Sequence, residues 1–295
     1  MGWGAAQWAR ITKESSYGVY DAAAAAGDIA YMRLPNGNAC TIRSVPQRMT
    51  IRSADGRNLR RQVVANRKVV SGNINTLFYP SQAALMFGAA LTLTSNELAS
   101  YTIDYFDSVQ VHRFLGCKCA SLTAAGTATG DYLPLSTSWV GQSKTTATFT
   151  EPAVTVFPTE IPYGHIESKG HLSIGGVVTK YSAAGISVKN TLDSTWDEDQ
   201  YITSLLYCGR DVDLTARIQY LSSALRADLD AQTALTVSMG WARSAGLTTT
   251  VDMKTTNYVA DCGDDIPLNA AAYQAITIQS FFSNASGADV ALTVV

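Results

Sequence analysis

A shift of 142 residues lays the second half of the chain over the first. Val70 falls on Val212, Ile74 on Ala216, Thr76 on Ile218, Phe78 on Tyr220 and Ser81 on Ser223. Farther along, Leu91-Thr92-Leu93 resembles Leu235-Thr236-Val237, and Thr102-Ile103-Asp104 resembles Thr250-Val251-Asp252, at slightly larger offsets. Both halves run in the order long hairpin, short helix, strand, strand. Self-similarity at a fixed period marks a supersecondary unit used more than once. The pattern therefore predicts one unit, duplicated and fused, with its two copies over residues 1–150 and 151–295. The join falls at Thr150 to Gly164, where Pro152, Pro158 and Pro162 interrupt regular structure.

Each copy reads as mainly β. Thr, Val, Ser and Ala dominate short alternating runs separated by Gly, Asn and Asp, the composition of half-buried strands and their turns. The clearest runs are Val69 to Phe78, Ser100 to Tyr105, Phe114 to Thr123, Tyr132 to Val140, Ile186 to Leu192, Val212 to Tyr220, Leu247 to Met253 and Ala275 to Phe282. Two short helices are expected, Gln82 to Leu91 after Pro80-Ser81 and Ala224 to Ala231 after Ser222-Ser223, with a serine capping each first turn. Strand alternation puts Val212, Leu214, Ala216, Ile218 and Tyr220 on one face and Asp213, Thr215, Arg217 and Gln219 on the other. In the first half Ser71, Asn73 and Asn75 take the polar face.

Composition narrows function. With 46% hydrophobic and 16% charged residues, the chain can bury a core. Soluble monomers average about 25% charged residues, so a surface this poor in charge suits a subunit covered by neighbours. Twenty-two basic residues against 24 acidic ones argue against a chain-wide nucleic-acid-binding face. No secretory signal is expected at the start. The longest uncharged stretch, Val69 to Asn96, carries Asn73, Asn75, Pro80 and Gln82, so a membrane span is not expected. Five scattered cysteines (Cys40, Cys117, Cys119, Cys208, Cys262) fit reduced thiols of a cytoplasmically made protein.

Catalytic and metal chemistry finds little material. His165, Glu167 and His171 do not have helix-based zinc spacing, and Cys117-Lys118-Cys119 reads as core or surface thiols. Asp261, Asp264 and Asp265 lack the alternating oxygen ligands of a calcium loop. No nucleophile elbow or phosphate loop occurs, and no histidine stands beside a plausible nucleophile. No enzyme activity, cofactor or metal is expected.

One feature is harder to dismiss. From Arg43 to Lys68 eight basic residues, among them Arg57, Arg60 and Arg61, stand against Asp55 alone. The equivalent window, Gly185 to Arg210, holds Lys189 and Arg210 against Asp193, Asp197, Glu198 and Asp199. Three readings fit: solvated hairpins, a nucleic-acid contact by the basic arm, or contact between unlike halves of neighbouring copies, which alone uses both signs.

Several stretches, taken in order, carry a family likeness. They are Lys13-Glu14-Ser15-Ser16-Tyr17-Gly18, Ser71-Gly72-Asn73-Ile74-Asn75-Thr76-Leu77-Phe78-Tyr79-Pro80 and Phe114-Leu115-Gly116-Cys117-Lys118-Cys119-Ala120-Ser121-Leu122. In the second half they are Ile186-Ser187-Val188-Lys189-Asn190-Thr191-Leu192 and Gly209-Arg210-Asp211-Val212-Asp213-Leu214-Thr215. Together they resemble the tail tube proteins of long-tailed bacteriophages, over nearly the whole chain. The resemblance implies two tandem tail-tube-like β-sandwich units, each with a long hairpin and one short flanking α-helix. It implies a structural virion protein, assembled in the host bacterial cytoplasm, that polymerises into stacked rings around a channel for DNA ejection. Single-unit members form rings of six, so a fused pair implies rings of three with near-sixfold appearance. The implied partners are further copies of itself, a tape-measure protein and tail terminator and initiator proteins, with genomic DNA passing through unbound. On that basis Ser71, Asn73, Asn75, Asp213, Thr215, Arg217 and Gln219 are expected at the lumen or a subunit seam. Arg57, Arg60 and Arg61 are expected to meet Asp197, Glu198 and Asp199 of a neighbour. The strongly basic first hairpin departs from the family pattern. Two other classes share some of these features. A head-tail connector or capsid-decorating protein would not need the duplicated hairpin and helix. A carbohydrate-binding protein would cluster its aromatics, whereas Trp3, Trp8, Trp139, Trp196 and Trp241 are dispersed.

Overall fold

The structure, a computed structural model, describes residues 7–34, 39–52, 60–128, 132–148, 152–168, 170–197, 200–219, 224–244, 247–262, 273–281 and 291–294. It is mainly β. The first half runs β1 (Trp8–Lys13), β2 (Ile29–Arg33), β3 (Arg43–Arg52), β4 (Arg60–Leu77) and α1 (Pro80–Leu91), followed by the two-residue strands β5 (Leu93–Thr94) and β6 (Glu97–Leu98). It continues with β7 (Tyr101–Phe106), β8 (Val111–Thr127), β9 (Pro134–Gly141) and β10 (Ser143–Ala147). The second half runs β11 (Leu172–Ile174), β12 (Val177–Val178), β13 (Tyr181–Thr195), β14 (Ser204–Gln219) and α2 (Ala224–Ala231). Then come β15 (Leu235–Ser244), β16 (Leu247–Cys262), β17 (Tyr273–Phe281) and β18 (Ala291–Val294).

Two long strands each serve two sheets. The first part of β8 pairs with β7 and β10, and its last part with β9 and β13. The first part of β16 likewise pairs with β15 and β18, and its last part with β17. A bulge marks the change in both, between Cys119 and Ser121 and between Val259 and Asp261; an inserted residue bends the bulged strand. The pairing order β3-β4-β9-β8 is met again in β13-β14-β17-β16, and β2-β1-β7-β8-β10 in β12-β11-β15-β16-β18. The long hairpins agree in detail as well. Asn66 is the extra residue in β4 and Cys208 the extra residue in β14, 142 positions later.

A large apolar core spans both halves, and a small separate cluster is formed by Trp8, Phe106 and Val111. Val212, Leu214, Ala216 and Ile218 are buried, as their alternation predicts, with Ile74, Leu122, Val188 and Ile278 on the same face; Tyr220 lies outside the described residues. Phe78, Phe87, Tyr163 and Trp241 form an aromatic knot with centroids 5.0 to 6.3 Å apart, joining the link between β4 and α1, α1 itself, the 148–171 connection and β15. Such ring pairs stabilise beyond the area they bury. The two helices lie where the sequence puts them, but the capping of α1 differs. Tyr79 occupies the N-cap, because Pro80 has its φ preset for the first helical position. Ser81 therefore sits inside the first turn, where its N–H (3.0 Å) and hydroxyl both donate to Glu160. Ser222 and Ser223 lie outside the described residues.

Gly72 lets the chain segment before β3 cross β4 closely. Its φ is +155°, and a Cβ there would lie 2.5 Å from both the Thr41 carbonyl oxygen and the Ile42 Cα. Backbone on both sides leaves no flexible atom to move aside. Gly72→Ala is therefore expected to destabilise by about 1 to 3 kcal/mol, read from denaturant midpoints. Gly27→Ala, where a Cβ meets nothing within 4 Å, is expected to leave the midpoint in place.

Candidate assembly surface

The side of the long sheet away from the core is polar from strand to strand. Cross-strand register carries one row through Asn75, Ser136, Thr123, Ser187, Asp213 and Gln279. Paired residues project from the same face, so this row spans β4, β9, β8, β13, β14 and β17. Ser136 Oγ donates to Asn75 Oδ1 at 2.7 Å, and the Thr123 and Ser187 hydroxyls lie 3.4 Å apart. Charges on this face are mixed: Lys189 stands opposite Asp211, Ser187 opposite Asp213, and the Arg217 guanidinium lies 5.5 Å from the Tyr273 ring centroid. Partial burial, with repulsion from Asp211, raises the Asp213 carboxyl above the ordinary range, against a hydrogen bond from Gln279 and the pull of Lys189. All seven residues expected at the lumen or a seam lie on this face. Asn73, Asn75, Thr215 and Arg217 are exposed, and Ser71, Asp213 and Gln219 are half-buried.

The expected charge contacts are less completely described. Arg57, Glu198 and Asp199 lie outside the described residues, and Arg60 and Arg61 are described as the first backbone positions of β4. Asp197 is exposed, its N–H donating to Thr203 Oγ1 at 3.1 Å. The structure brings together two other basic residues and the aromatics flanking the acidic run, all within one chain. The Arg67 guanidinium lies 4.7 Å from the Trp196 ring centroid, and the Lys68 ammonium 5.2 Å from that of Tyr201. The Lys68 N–H donates to the Gln200 carbonyl at 2.7 Å. Cation-π attraction explains why Trp196 and Tyr201 bracket the acids, a signal the sequence carried but charge counting passed over.

The two four-stranded runs meet edge to edge, Ser121–Thr127 of β8 pairing antiparallel with Ala183–Lys189 of β13. Three polar side chains fasten this seam, and sequence reasoning singled out none of them for it. Buried Lys118 reaches Glu97 at 2.7 Å and the Leu205 carbonyl at 2.6 Å. Arg210 donates to the Leu91 carbonyl at 2.7 Å, placing a cation at the negative end of the α1 dipole. Asn190 Nδ2 donates to the Ala90 (3.0 Å) and Cys119 (2.9 Å) carbonyls. A lone lysine between two buried cysteines was the one available hint. Asn190→Ala strips two buried donors and is expected to destabilise by about 2 kcal/mol, measured by chemical denaturation.

The residues weighed for metal chemistry have other duties. Glu167 pairs with Arg243 at 2.7 Å and accepts the Gly164 N–H, while the His165 ring packs edge-on against Tyr181. Cys117 and Cys119 are buried.

Among the described residues, β3 pairs with β4 alone, and the last part of β16 with β17 alone. A large antiparallel sheet with a polar outer face and two flanking helices puts the described residues in the class of mainly β proteins. Among curated proteins, none matches the chain significantly. Residues 5–281 match the model of a family described as phage tail tube protein, and the chain belongs to that family. It is a structural component of the virion tail rather than an enzyme family member. No described helix is long and apolar enough to cross a membrane.

Proposed function

We propose that the chain polymerises into stacked rings that form the tail tube, with the polar sheet face lining a channel through which the genome leaves. The supporting observation is the internal seam: two four-stranded runs of the same order already join edge to edge inside one chain, with β3 at one end and the last part of β16 at the other. A heterologous contact repeated around an axis closes a ring, and one repeated along the axis builds a filament. Residues 1–150 and 151–295 act as two equivalent units, so three copies supply six and the ring is a trimer of near-sixfold appearance. A charge-balanced lumen neutralises few phosphates and lets DNA slide. The tip of the basic hairpin, with Arg57, Arg60 and Arg61, meets the acidic Asp197, Glu198 and Asp199 of a neighbouring copy. Tape-measure, terminator and initiator proteins set tube length and ends, and assembly takes place in the host cytoplasm.

Light scattering at rising concentration, followed by negative-stain electron microscopy, tests this reading. Growth beyond a monomer into tubes with a central channel is expected. A chain that stays monomeric at high concentration, with tail-initiator components present, would overturn it.

A further inference from the structure

We propose that a pocket beside Arg10 and Arg113, on the side of β1, β7 and β8 away from the core, binds a small free oxyanion, a carboxylate or phosphate. The proposal concerns the folded chain by itself and does not depend on the ring reading.

The pocket floor is a cross-strand row set by register. Tyr31 of β2 pairs with Arg10 of β1, Arg10 with Asp104 of β7, Asp104 with Arg113 of β8, and Arg113 with Thr145 of β10. Flanking Ala9, Ile11 and Ile103 are buried in the core, so the two-residue period turns this row to the opposite side. In the next row Trp8 pairs with Phe106, Phe106 with Val111 and Val111 with Ala147, and Trp8 and Val111 supply an apolar wall. Tyr20, Tyr31, Thr148 and Pro152 line the rest of a volume of about 240 Å³.

Charge along the floor does not balance. Each arginine side chain is 20% exposed, and both meet the same carboxylate. Asp104 is saturated: Oδ1 accepts from Arg113 Nε, and Oδ2 accepts from Arg113 Nη2, Arg10 Nε and Arg10 Nη2. Among the described residues no second carboxylate is paired with either guanidinium, so two cations share one anion. Tyr20 compensates in part, its hydroxyl accepting from Arg10 Nη2 and its ring lying against the Arg113 guanidinium. A ring face attracts a cation without neutralising it. A largely buried charge that lacks a counterion is costly, and the planar fork of a guanidinium matches two oxygens of a carboxylate or phosphate. Each guanidinium has five N–H donors. An oxyanion in the pocket supplies the missing charge and accepts from donors that Asp104 and the tyrosines leave. The floor joins five strands that meet only in the folded chain, so a bound anion stabilises that fold by mass action.

Calorimetric titration of the full chain with inorganic phosphate, and separately with acetate, at constant ionic strength tests the site. One site per chain is expected for at least one of the two, with an unfolding midpoint raised by roughly 2 to 4 °C once the anion stands at about five times its dissociation constant. Binding of neither overturns the proposal. Arg10→Met leaves Asp104 in its two-bond pair with Arg113 and removes the surplus charge, so affinity is expected to fall roughly tenfold. Thr148→Glu keeps the floor intact and sets a carboxylate at an exposed position of the pocket wall; it is expected to abolish the titration and raise the midpoint of the anion-free protein. Undiminished binding in folded Arg10→Met overturns the proposal; if that variant does not fold, undiminished binding in Thr148→Glu does so. A midpoint that climbs without saturation, equally in wild type and variants, is general salt exclusion and overturns it too. Glu151, next to Pro152 in sequence, lies outside the described residues. Binding that appears only in Glu151→Gln would give the pocket to the chain's own carboxylate and overturn a free anion.

Discussion

Asp104→Asn is expected to lower stability by about 3 to 5 kcal/mol, the usual result of leaving a buried charge without its partner. The Asp104 side chain is 2% exposed and lies between two arginines of neighbouring strands. Arg113 Nε donates to Oδ1 at 2.7 Å and its Nη2 to Oδ2 at 3.0 Å, while Arg10 Nε donates to Oδ2 at 3.1 Å. Tyr20 closes the site, its ring centroid 3.6 Å from the Arg113 guanidinium and its hydroxyl 3.0 Å from Arg10 Nη2. The amide of asparagine cannot accept both forks, so two guanidinium groups stay in a poorly hydrated site. Replacing all three by apolar residues of similar volume, Asp104→Leu with Arg10→Met and Arg113→Met, is expected to recover most of the loss. Urea midpoints of wild type, single and triple variants give the comparison. A single variant within about 1 kcal/mol of wild type would show that this triad is solvated like a surface pair.

The triad also shows where sequence reading stops. Thr102-Ile103-Asp104 was visible as a strand, and its likeness to Thr250-Val251-Asp252 helped reveal the repeat. Nothing in the local pattern says that Asp104 faces Arg10, 94 residues earlier, because pairing of β1 with β7 is non-local. Alternation along β14 was fully legible, since a two-residue period and burial on one side fix every side chain's face. Both helices were legible too, while the cap of α1 was not. Pro80 moves the helix start ahead of Ser81, and the carboxylate that meets that serine comes from Glu160. The double duty of β8 escaped notice because a bulge leaves no mark in composition. With it went the internal seam, whose fastening by Lys118, Asn190 and Arg210 depends on β8, α1 and the second hairpin meeting in space.

In the tube proposed above, Asn73→Lys combined with Thr215→Lys is expected to turn a channel that lets DNA slide into one that retains it. The two positions coincide under the 142-residue shift, are both exposed, and lie on the polar face of β4 and β14. Each chain then gains two cations at equivalent places, and a ring of three copies gains about six. Stacked rings would present this charge repeatedly along a bound duplex. Each phosphate neutralised releases condensed counterions, so log affinity should fall with log salt at a slope of about −0.9 per contact. With 6 to 10 contacts engaged, retention should drop by about 10³- to 10⁵-fold between 50 and 200 mM salt. Wild-type tubes, with Lys189 opposite Asp211 on the same face, should show weak binding and a shallow slope. The shape of the DNA separates the inside of the tube from the outside. A short linear duplex can enter an open end, whereas a covalently closed plasmid cannot. Retention of linear DNA but not of plasmid by the lysine variant would place Asn73 and Thr215 in the channel. Equal retention of both forms would put that face on the outer wall and remove the proposed lining, even if the tubes themselves form.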